Sequence, residues 1–401
     1  MKAIVFGAGN IGRAFIGRLF SENGASTVFV DVRADIVSEL NRRREYPIVV
    51  KDTGKPDRTI IVGNVGGLLA GDAAGVRAAL VEADFVATCV GLRALPYIAP
   101  DLADGLRARW KFSGRPLDLI LAENVHDGDA LLRGLLKPLL PADFPLERAL
   151  GVSRAAVGKM VPVMTAEEVA RDPLAVFSEG FNRLVVDGRA FRTKIPPFAD
   201  LQAVDDIDAF MDRKLYLHNL GHAAVAYFGH AVRPDERYVS GAVGIQEVST
   251  RVRETMACAS EILFRAHPAA FTRLELDAHA NDLLARFANV GLKDTVHRVG
   301  RDLRRKLSRE DRVLGAVRLA ESLGVDWTPI ARTFFAALRF GAADERGAPA
   351  PDDAAFLTDA RASEIGDILV RLCGMDARED ASCIEKFIAL DRELRPGAGR
   401  T

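Results

Sequence analysis

The sequence has almost no net charge, few cysteines and no long hydrophobic run, and each of these absences excludes a class of protein. Its 54 basic and 55 acidic residues leave a net charge of −1, so neither nucleic acid nor an anionic membrane is favoured as a partner. No stretch of about 18 uninterrupted apolar residues is present, which excludes a membrane-spanning helix. The sequence also contains no internal repeat and no low-complexity tract.

The four cysteines lie far apart and form no Cys-x-x-Cys pair. This pattern excludes a disulfide framework or a zinc ribbon and is typical of a reducing compartment. Met1 is followed directly by an apolar strand, which leaves no room for a signal peptide. We therefore expect a cytoplasmic protein, and its 401 residues are enough for two or three domains. The cysteines are Cys89, Cys258, Cys373 and Cys383.

The N-terminal stretch has the pattern of a dinucleotide-binding βαβ unit. The apolar run Ala3–Phe6 predicts a buried strand, and Thr27–Val30 predicts a second strand that ends at Asp31. A glycine-rich loop and a segment of helical periodicity lie between the two strands. The loop residues that we expect to contact the cofactor are Gly7, Ala8, Gly9, Asn10, Ile11 and Gly12.

Each glycine of this loop has a physical role in such a unit. Gly7 permits a tight turn, Gly9 lets the backbone approach a pyrophosphate, and Gly12 lets the helix pack close to the strand. Asp31 is placed to accept hydrogen bonds from a ribose 2′-hydroxyl and would repel a 2′-phosphate. The pattern favours NAD over NADP, although Arg33 weakens this preference. A purely structural glycine turn is the alternative.

Two later apolar runs, 83–90 and 117–122, predict further strands of a parallel sheet. Ligands bind at the carboxyl ends of such strands. Asn124 could therefore face the nicotinamide end of the cleft, although asparagine is also a common turn former. The residues that we expect at these carboxyl ends are Val90, Gly91, Glu123 and Asn124.

The pattern as a whole predicts an α/β fold, with an N-terminal Rossmann-type parallel sheet domain followed by a mostly α-helical domain. The first domain spans residues 1–200, and its sheet is extended from about residue 151 by the stretches 175–179 and 182–186. Residues 201–395 form the helical domain for substrate and catalysis, and 396–401 form a frayed tail. The predicted helices of the second domain are 206–230, 246–265, 274–288, 309–323, 328–341, 353–373 and 380–394.

The first helix of this second domain has a polar cluster on an otherwise apolar stretch. On a regular α-helix, His218 and His222 lie about 40° and 80° round from Lys214. Asn219 lies about 140° round. A lysine in apolar surroundings finds a partner or lowers its pKa, and it can then take a proton from an alcohol. Two alternatives are a surface lysine beside two half-buried histidines, and a zinc ion on His218 and His222.

A second cluster, of cations, lies between residues 281 and 315. So many cations in a short stretch could bind a phosphate group. They could equally form a solvated helix face whose partners are Asp302 and Glu310. The candidates for phosphate binding are Arg301, Arg304, Arg305 and Lys306.

Taken together, these residues resemble the polyol-specific long-chain dehydrogenases, a family that is similar to the mannitol dehydrogenases. The run Phe6–Gly17 closely resembles the start of the sugar-phosphate members. The family signature, Lys-x4-Asn-x2-His, stands here as Lys214, Asn219 and His222. The pair Glu123–Asn124 stands where the family has a similar pair, and the stretch from Arg286 to Leu307 resembles its C-terminal domain.

The resemblance implies a metal-independent, NAD-dependent hydride transfer that interconverts D-mannitol 1-phosphate and D-fructose 6-phosphate. It implies that Lys214 is the general base and that His222 orients the substrate. Asn124 and Asn219 would stabilise the developing alkoxide. The alternatives are a related dehydrogenase for a free polyol or sugar acid, such as mannitol, arabinitol or a hexuronate, and an inactive NAD-binding sensor. The expected partner is a small-molecule substrate, and we expect a monomer or small homo-oligomer.

One stretch departs from the family pattern. In the run Ala156–Pro162, Gly158 and Lys159 stand where the family usually has an Asp-Arg pair. The resemblance implies that this acid lies near the catalytic groups. Its loss could change the substrate, lower the rate, or be met by an acid from elsewhere, so the departure affects the identity of the substrate more than the type of reaction.

Overall fold

The computed structural model describes residues 1–123, 125–162, 164–345 and 347–394. The chain divides into two compact units, Met1–Met211 and Asp212–Thr401. The first unit is built from sheets with flanking helices, and the second is built from helices and loops. None of the helices in the described residues is long and apolar enough to cross a membrane. The predicted frayed tail, 396–401, lies outside the described residues.

An eight-stranded sheet forms the centre of the first unit. Its central strands are buried along their whole length, as is typical of a parallel sheet that is covered on both faces. The described strands are β1 (Lys2–Phe6), β2 (Ser26–Asp31), β3 (Glu45–Val50), β4 (Arg58–Gly63), β5 (Val65–Leu69), β6 (Phe85–Thr88), β7 (Leu117–Leu121), β8 (Leu150–Ala156), β9 (Val176–Ser178), β10 (Leu184–Asp187) and β11 (Leu201–Val204).

The strand order of this sheet is β11-β10-β8-β7-β6-β1-β2-β5. Its pairs are parallel, except that β10 runs antiparallel to β8. A smaller sheet has the order β4-β3-β9, with β4 antiparallel and β9 parallel to β3. Because β1 lies between β2 and β6, the loop after β1 opens at the carboxyl edge, where ligands bind in such folds.

The helices of the first unit cover the faces of this sheet. The helix after β1 begins with a π-helical segment, Gly12–Gly17, and continues as an α-helix over Arg18–Glu22. The other helices are Ala34–Arg43, Ala73–Glu82, Leu95–Ser113, Gly128–Leu136, Leu146–Ala149, Ala166–Arg171 and Ile207–Asp212, with short 3₁₀ turns at Leu92–Ala94, Lys137–Leu139 and Gly188–Ala190.

The second unit is organised around the apolar helix Leu220–Val232, which follows the π-helical segment Arg213–Asn219. It packs closely on its neighbours: a Cβ added to Gly221 would lie 2.9 Å from the Met256 sulfur. The other helices of this unit are Val239–Val243, Gln246–Ala266, Arg273–Phe287, Val290–Leu292 (3₁₀), Val296–Gly300, Leu303–Lys306, Leu314–Ser322, Thr328–Ala337, Pro351–Arg361, Ile365–Asp367 with Ile368–Leu372 (π), and Ala381–Leu394.

The predicted fold class is confirmed, and four details of the prediction are wrong. The stretch 175–179 does not extend the large sheet, because β9 pairs with β3 in the smaller one. Leu201–Val204 is an edge strand instead of the start of the helical part. The predicted helix 353–373 is interrupted after Arg361, and a helix predicted to start at 309 begins only at Leu314.

A buried carboxylate in the centre of the large sheet provides a test of this packing. Asp118 on β7 is almost fully buried and accepts hydrogen bonds from the backbone N–H groups of Arg192, at 2.7 Å, and Thr193, at 2.9 Å. We expect Asp118→Ala to lower the free energy of unfolding by about 3 kcal/mol, because two backbone donors lose a charged acceptor whose side chain is buried. Urea denaturation would measure the change.

The matched control is Asp205→Ala. The Asp205 side chain is 84% exposed and lies 3.8 Å from Arg189, so its loss should change the free energy of unfolding by less than about 0.5 kcal/mol. Equal effects of the two substitutions would contradict a structural role for Asp118.

Candidate active site

The glycine-rich loop after β1 has the geometry that a dinucleotide needs. Gly7 has a φ of +98°, and a Cβ there would lie 2.7 Å from the Cys89 carbonyl oxygen. A Cβ on Gly12 would lie 2.0 Å from the Gly7 carbonyl oxygen. Gly9 differs, because a Cβ there would meet nothing within 4 Å. Gly7 and Gly12 therefore serve the packing of the loop, while the backbone at Gly9 is open to a ligand.

Asp31 connects the end of β2 to this loop. Its Oδ2 accepts a hydrogen bond from the Ala8 N–H at 2.6 Å, and its Oδ1 accepts one from the Arg33 N–H at 2.9 Å. The guanidinium of Arg33 is turned to Asp35, with which it forms an exposed ion pair. The cation that weakened the predicted preference for NAD is thus already paired, and the carboxylate that favours NAD stands beside the loop.

Glu123 is a buried carboxylate that holds the turn after β6, at the carboxyl edge of the sheet where the cofactor is predicted to bind. Its side chain is buried, and it accepts hydrogen bonds from the Thr88 hydroxyl at 2.5 Å and the Val90 N–H at 3.0 Å. The Gly91 N–H donates to the same carboxylate at 3.3 Å. Burial raises the pKa of Glu123, and these three donors oppose the rise. Glu123 therefore holds the turn Val90–Gly91 in place, while Asn124 lies outside the described residues.

Lys214 and Asn219 lie in the π-helical segment Arg213–Asn219, which corrects the predicted geometry. The Leu220 N–H bonds to the Leu215 carbonyl, five residues back, so this turn contains one residue more than an α-helical turn. On an α-helix Asn219 would lie about 140° from Lys214. In a π turn the hydrogen bond spans five residues, so residues five apart lie about as far round as residues four apart do on an α-helix, roughly 40°. The extra residue thus brings Asn219 to the side of the helix that Lys214 occupies.

Lys214 is half-buried and stands among charges from a distant part of the second unit. Burial is the main cause that lowers the pKa of Lys214 to about 7. The guanidiniums of Arg312 and Arg305 lower it further, and the Asp311 carboxylate opposes them. Asp311 itself is held by both arginines, at 2.8 Å from Arg312 and 3.0 Å from Arg305. The surroundings therefore make a neutral amine accessible near neutral pH.

His222 is fixed by two neighbours that the sequence pattern did not reveal. Its ring stacks on Phe287 with centroids 4.7 Å apart and planes 5° apart. Its Nε2 lies 3.3 Å from Oδ2 of Asp294. Burial lowers the pKa of His222, and Asp294 opposes this. His218 is buried, and burial also holds its pKa well below the usual value. Both histidines are thus neutral near neutral pH.

The alternative of a zinc ion on His218 and His222 can be compared with this geometry. The two rings have centroids 6.4 Å apart and planes inclined by 59°, and Nε2 of His222 is directed to Asp294. Across the described ranges, no group of three or more His, Cys, Asp or Glu side chains is arranged to hold a metal ion.

The four candidates for phosphate binding do not act as one group. Lys306 is buried, and its ammonium donates to the carbonyls of Val299 and Arg301, both at 2.5 Å. Arg305 is engaged by Asp302 and Asp311. Arg301 and Arg304 are exposed, and the Arg304 guanidinium stands 5.8 Å from the Phe356 ring centroid. An exposed arginine is thus better placed to meet a phosphate than Lys306.

Lys159, from the stretch that departs from the family, belongs to a buried polar cluster in the first unit. Its ammonium donates to the Asn182 amide oxygen at 2.9 Å and lies 5.4 Å from the Phe15 ring centroid. Asn182 in turn donates to Asp200 at 2.8 Å. Burial lowers the pKa of Lys159 to about 7, and Arg18 adds to this effect. The described contacts give Lys159 a structural role in this unit.

Comparison with known proteins identifies the family. The model of the mannitol dehydrogenase Rossmann domain matches residues 1–199, and that of the mannitol dehydrogenase C-terminal domain matches 206–368. A mannitol-1-phosphate 5-dehydrogenase from Bacillus licheniformis is 32% identical over 97% of this chain and 99% of its own length. One from an Arthrobacter species is 36% identical over 91% of this chain and 93% of its own length.

Two solved structures share the fold over nearly the whole chain. A substrate-free D-sorbitol dehydrogenase has a TM-score of 0.78 at 18% identity, covering 99% of this chain and 93% of its own. Mannitol 2-dehydrogenase from Pseudomonas fluorescens, a ternary complex with NAD and D-mannitol, has a TM-score of 0.76 at 17% identity, with coverages of 99% and 92%.

These matches and the dinucleotide-type loop define the chain as a dehydrogenase that acts on a CH–OH group with NAD as its cofactor. It belongs to the mannitol dehydrogenase family. The predicted resemblance, enzyme class and cofactor are confirmed. The roles of the individual site residues stay predictions.

Gly9 gives a direct test of the cofactor loop. We expect Gly9→Ala to raise the Kd for NADH roughly tenfold or more, because the added methyl occupies the space in which the pyrophosphate approaches the backbone. The melting temperature should not change, since the methyl meets no protein atom within 4 Å. Gly63→Ala, at another open position, is the matched control and should change neither quantity. An unchanged Kd for Gly9→Ala would contradict this placement of the pyrophosphate.

Proposed function

We propose that this protein interconverts D-mannitol 1-phosphate and D-fructose 6-phosphate, with Lys214 as the general base and acid. Two curated relatives that match over more than nine-tenths of the chain are named as mannitol-1-phosphate 5-dehydrogenases, which supports the phosphorylated substrate. NAD, when bound, accepts the hydride from the carbinol carbon, and NADH returns it.

A comparison of three lysines is the observation that carries the proposal for Lys214. Burial lowers the pKa of Lys159, Lys214 and Lys306 to about 7 in each case. Lys159 bonds to an amide oxygen, and Lys306 bonds to two backbone carbonyls. Over the residues that the structure describes, the Lys214 ammonium has no such hydrogen bond. It is the one of the three that is available to a substrate hydroxyl.

In the proposed chemistry, Lys214 accepts a proton and the nicotinamide cofactor accepts a hydride. In polyol oxidation the neutral Lys214 amine takes the hydroxyl proton as the hydride leaves the same carbon. Asn219, brought to this side by the π turn, donates its amide N–H to the oxygen on which negative charge develops. His222 forms a hydrogen bond with a neighbouring hydroxyl and orients the chain of the substrate. Asn124 keeps its predicted place as a second donor to the alkoxide.

The substrate phosphate is proposed to bind to exposed arginines near Lys214. Arg305 is exposed, yet close enough to affect the pKa of Lys214. Arg301 and Arg304 are also exposed. Arginine binds phosphate through two parallel N–H groups, which suits a group that must be held at a fixed distance from the reacting carbon.

The first test compares fructose 6-phosphate with fructose as substrates. The absorbance of NADH reports the rate, at neutral pH and with EDTA present. We expect kcat/KM for the phosphate ester to exceed that for fructose at least roughly 100-fold, because the neutral sugar leaves the phosphate-binding arginines without a partner. Comparable values for the two sugars would instead support an enzyme for a free polyol. If neither sugar were turned over, a panel of sugar acids would be tested next. Absence of turnover with those as well would support the inactive NAD-binding sensor.

Charge reversal locates the phosphate within the same assay. Arg304→Glu combined with Arg305→Glu should raise KM for fructose 6-phosphate and leave KM for NADH unchanged. The control is Arg361→Glu, which replaces another exposed arginine of this unit. Equal increases in the two KM values would contradict the phosphate role.

The pH dependence tests Lys214 itself. Because the pKa of Lys214 is about 7 and oxidation requires the neutral amine, kcat/KM for the polyol should rise with pH and level off above about 7. Reduction requires the ammonium, so its kcat/KM should be level below about 7 and fall above it. Lys214→Met should lower kcat roughly 1000-fold without weakening NADH binding.

Lys55→Met, which removes an exposed lysine of the first unit, is the control for these profiles and should reproduce those of the wild type. If Lys214→Met kept more than a few per cent of kcat, or if both directions showed the same pH profile, Lys214 would not be the base.

A further inference from the structure

Asp294 has an environment that differs from that of an ordinary surface acid. Its side chain is only 7% exposed, although it lies in the short link between the segments Val290–Leu292 and Val296–Gly300. Its backbone carbonyl accepts a hydrogen bond from the Val239 N–H at 2.9 Å, which ties the link to the rest of the unit. A carboxylate in such a position needs partners for both oxygens.

The two oxygens of Asp294 have different partners. Oδ1 accepts a hydrogen bond from Nε of Arg298 at 2.6 Å. Oδ2 faces Nε2 of His222 at 3.3 Å. Burial opposes the ionisation of Asp294, but its bond to His222 and the charge of Arg298 outweigh burial and lower the pKa of Asp294. The carboxylate is thus charged, and it can only accept hydrogen bonds.

This arrangement favours one position for the proton of the His222 ring. A neutral imidazole donates from one nitrogen and accepts at the other. Because the Asp294 carboxylate faces Nε2 at 3.3 Å and can only accept, it favours the tautomer whose proton lies on Nε2 and whose Nδ1 is an acceptor. The stacked ring of Phe287 prevents the imidazole from rotating away. The other charged or titratable groups that act on His222 are Arg298, Lys306 and His218.

We propose that Asp294 is a positioning residue, which holds His222 as the Nε2-protonated tautomer so that Nδ1 accepts a hydrogen bond from a hydroxyl of the substrate. The proposal rests on the function proposed above, in which His222 orients the substrate. It also names the chemistry that the site selects: the group that meets His222 must be a hydrogen-bond donor, as the hydroxyls along a polyol chain are. An ether or a deoxy position at that point would leave Nδ1 without a partner.

Because of Arg298, the substitution Asp294→Asn tests the tautomer of His222 directly. The Arg298 guanidinium can only donate, so it retains the oxygen of the new amide. The amide NH₂ must then face Nε2 of His222, which accepts only if its proton has moved to Nδ1. The substitution therefore reverses the tautomer with almost no change in shape, and a substrate hydroxyl can no longer donate to Nδ1.

The primary measurement is the ¹⁵N–¹H spectrum of the histidine side chains, with His222→Gln used to assign the signal. We expect the wild type to have its proton on Nε2 and Asp294→Asn to have it on Nδ1. We also expect kcat/KM for the sugar substrate to fall roughly 100-fold in Asp294→Asn, with the Kd for NADH unchanged.

A matched control separates positioning from structural support. Asp353 is another buried acid of the same unit, and it accepts hydrogen bonds from the backbone N–H groups of Asp302 and Leu303. Asp353→Asn should lower stability but leave the His222 tautomer and the ratio of kcat/KM between hydroxylated and deoxy substrates unchanged. In Asp294→Asn this ratio should fall towards one.

Three results would overturn the inference: a wild-type His222 with its proton on Nδ1, an unchanged tautomer in Asp294→Asn, or a reversed tautomer with kcat/KM within threefold of the wild type. The spectrum of the wild type needs neither a stable Asp294 variant nor turnover. If no sugar were turned over, the proposed function would fail, while the spectra would still decide whether Asp294 sets the tautomer.

Discussion

The removal of the Lys214 ammonium from water is the constraint on which the rest of the site depends. A charged amine in apolar surroundings is disfavoured, and the nearby Arg305 and Arg312 disfavour it further. The neutral form is therefore reached near neutral pH without any dedicated base beside it. The unfolded chain would hold this proton up to a much higher pH, so the folded state is destabilised by the group that makes it useful.

Two other lysines whose ammonium groups are buried are stabilised in a different way. Lys159 and Lys306 are as strongly affected by burial, yet each is bonded to protein oxygens. Their polar contacts tie together segments that are distant in sequence, as when Asn182 joins Lys159 to Asp200. A lowered pKa alone would not have distinguished a catalytic lysine from these two. The difference lies in whether the ammonium is already occupied.

The sequence predicted those parts of the structure that depend on neighbouring residues. The glycine loop and the strand that ends at Asp31 could be recognised because a few adjacent residues determine that geometry. The π turn at Lys214 could not, since the assumption of 100° per residue excludes it. Nor could the contact of His222 with Asp294, because nothing in a local pattern relates residues separated by so much chain. Strands β3 and β4 were not predicted, and they pair with each other in a separate small sheet.

The π turn also limits how this helix can change in evolution. A π turn is an α-helical turn with one inserted residue, so its loss would leave a regular helix with all its backbone hydrogen bonds. Every side chain beyond the deletion would nevertheless rotate by about 100°. His222 would leave Asp294, and the side chains of Leu220–Val232, which are buried nearly all round the helix, would lose their present packing partners. Deletion of the extra residue in the π turn would therefore disturb two things at once. The packing of the helix and the contacts of His222 both depend on that residue.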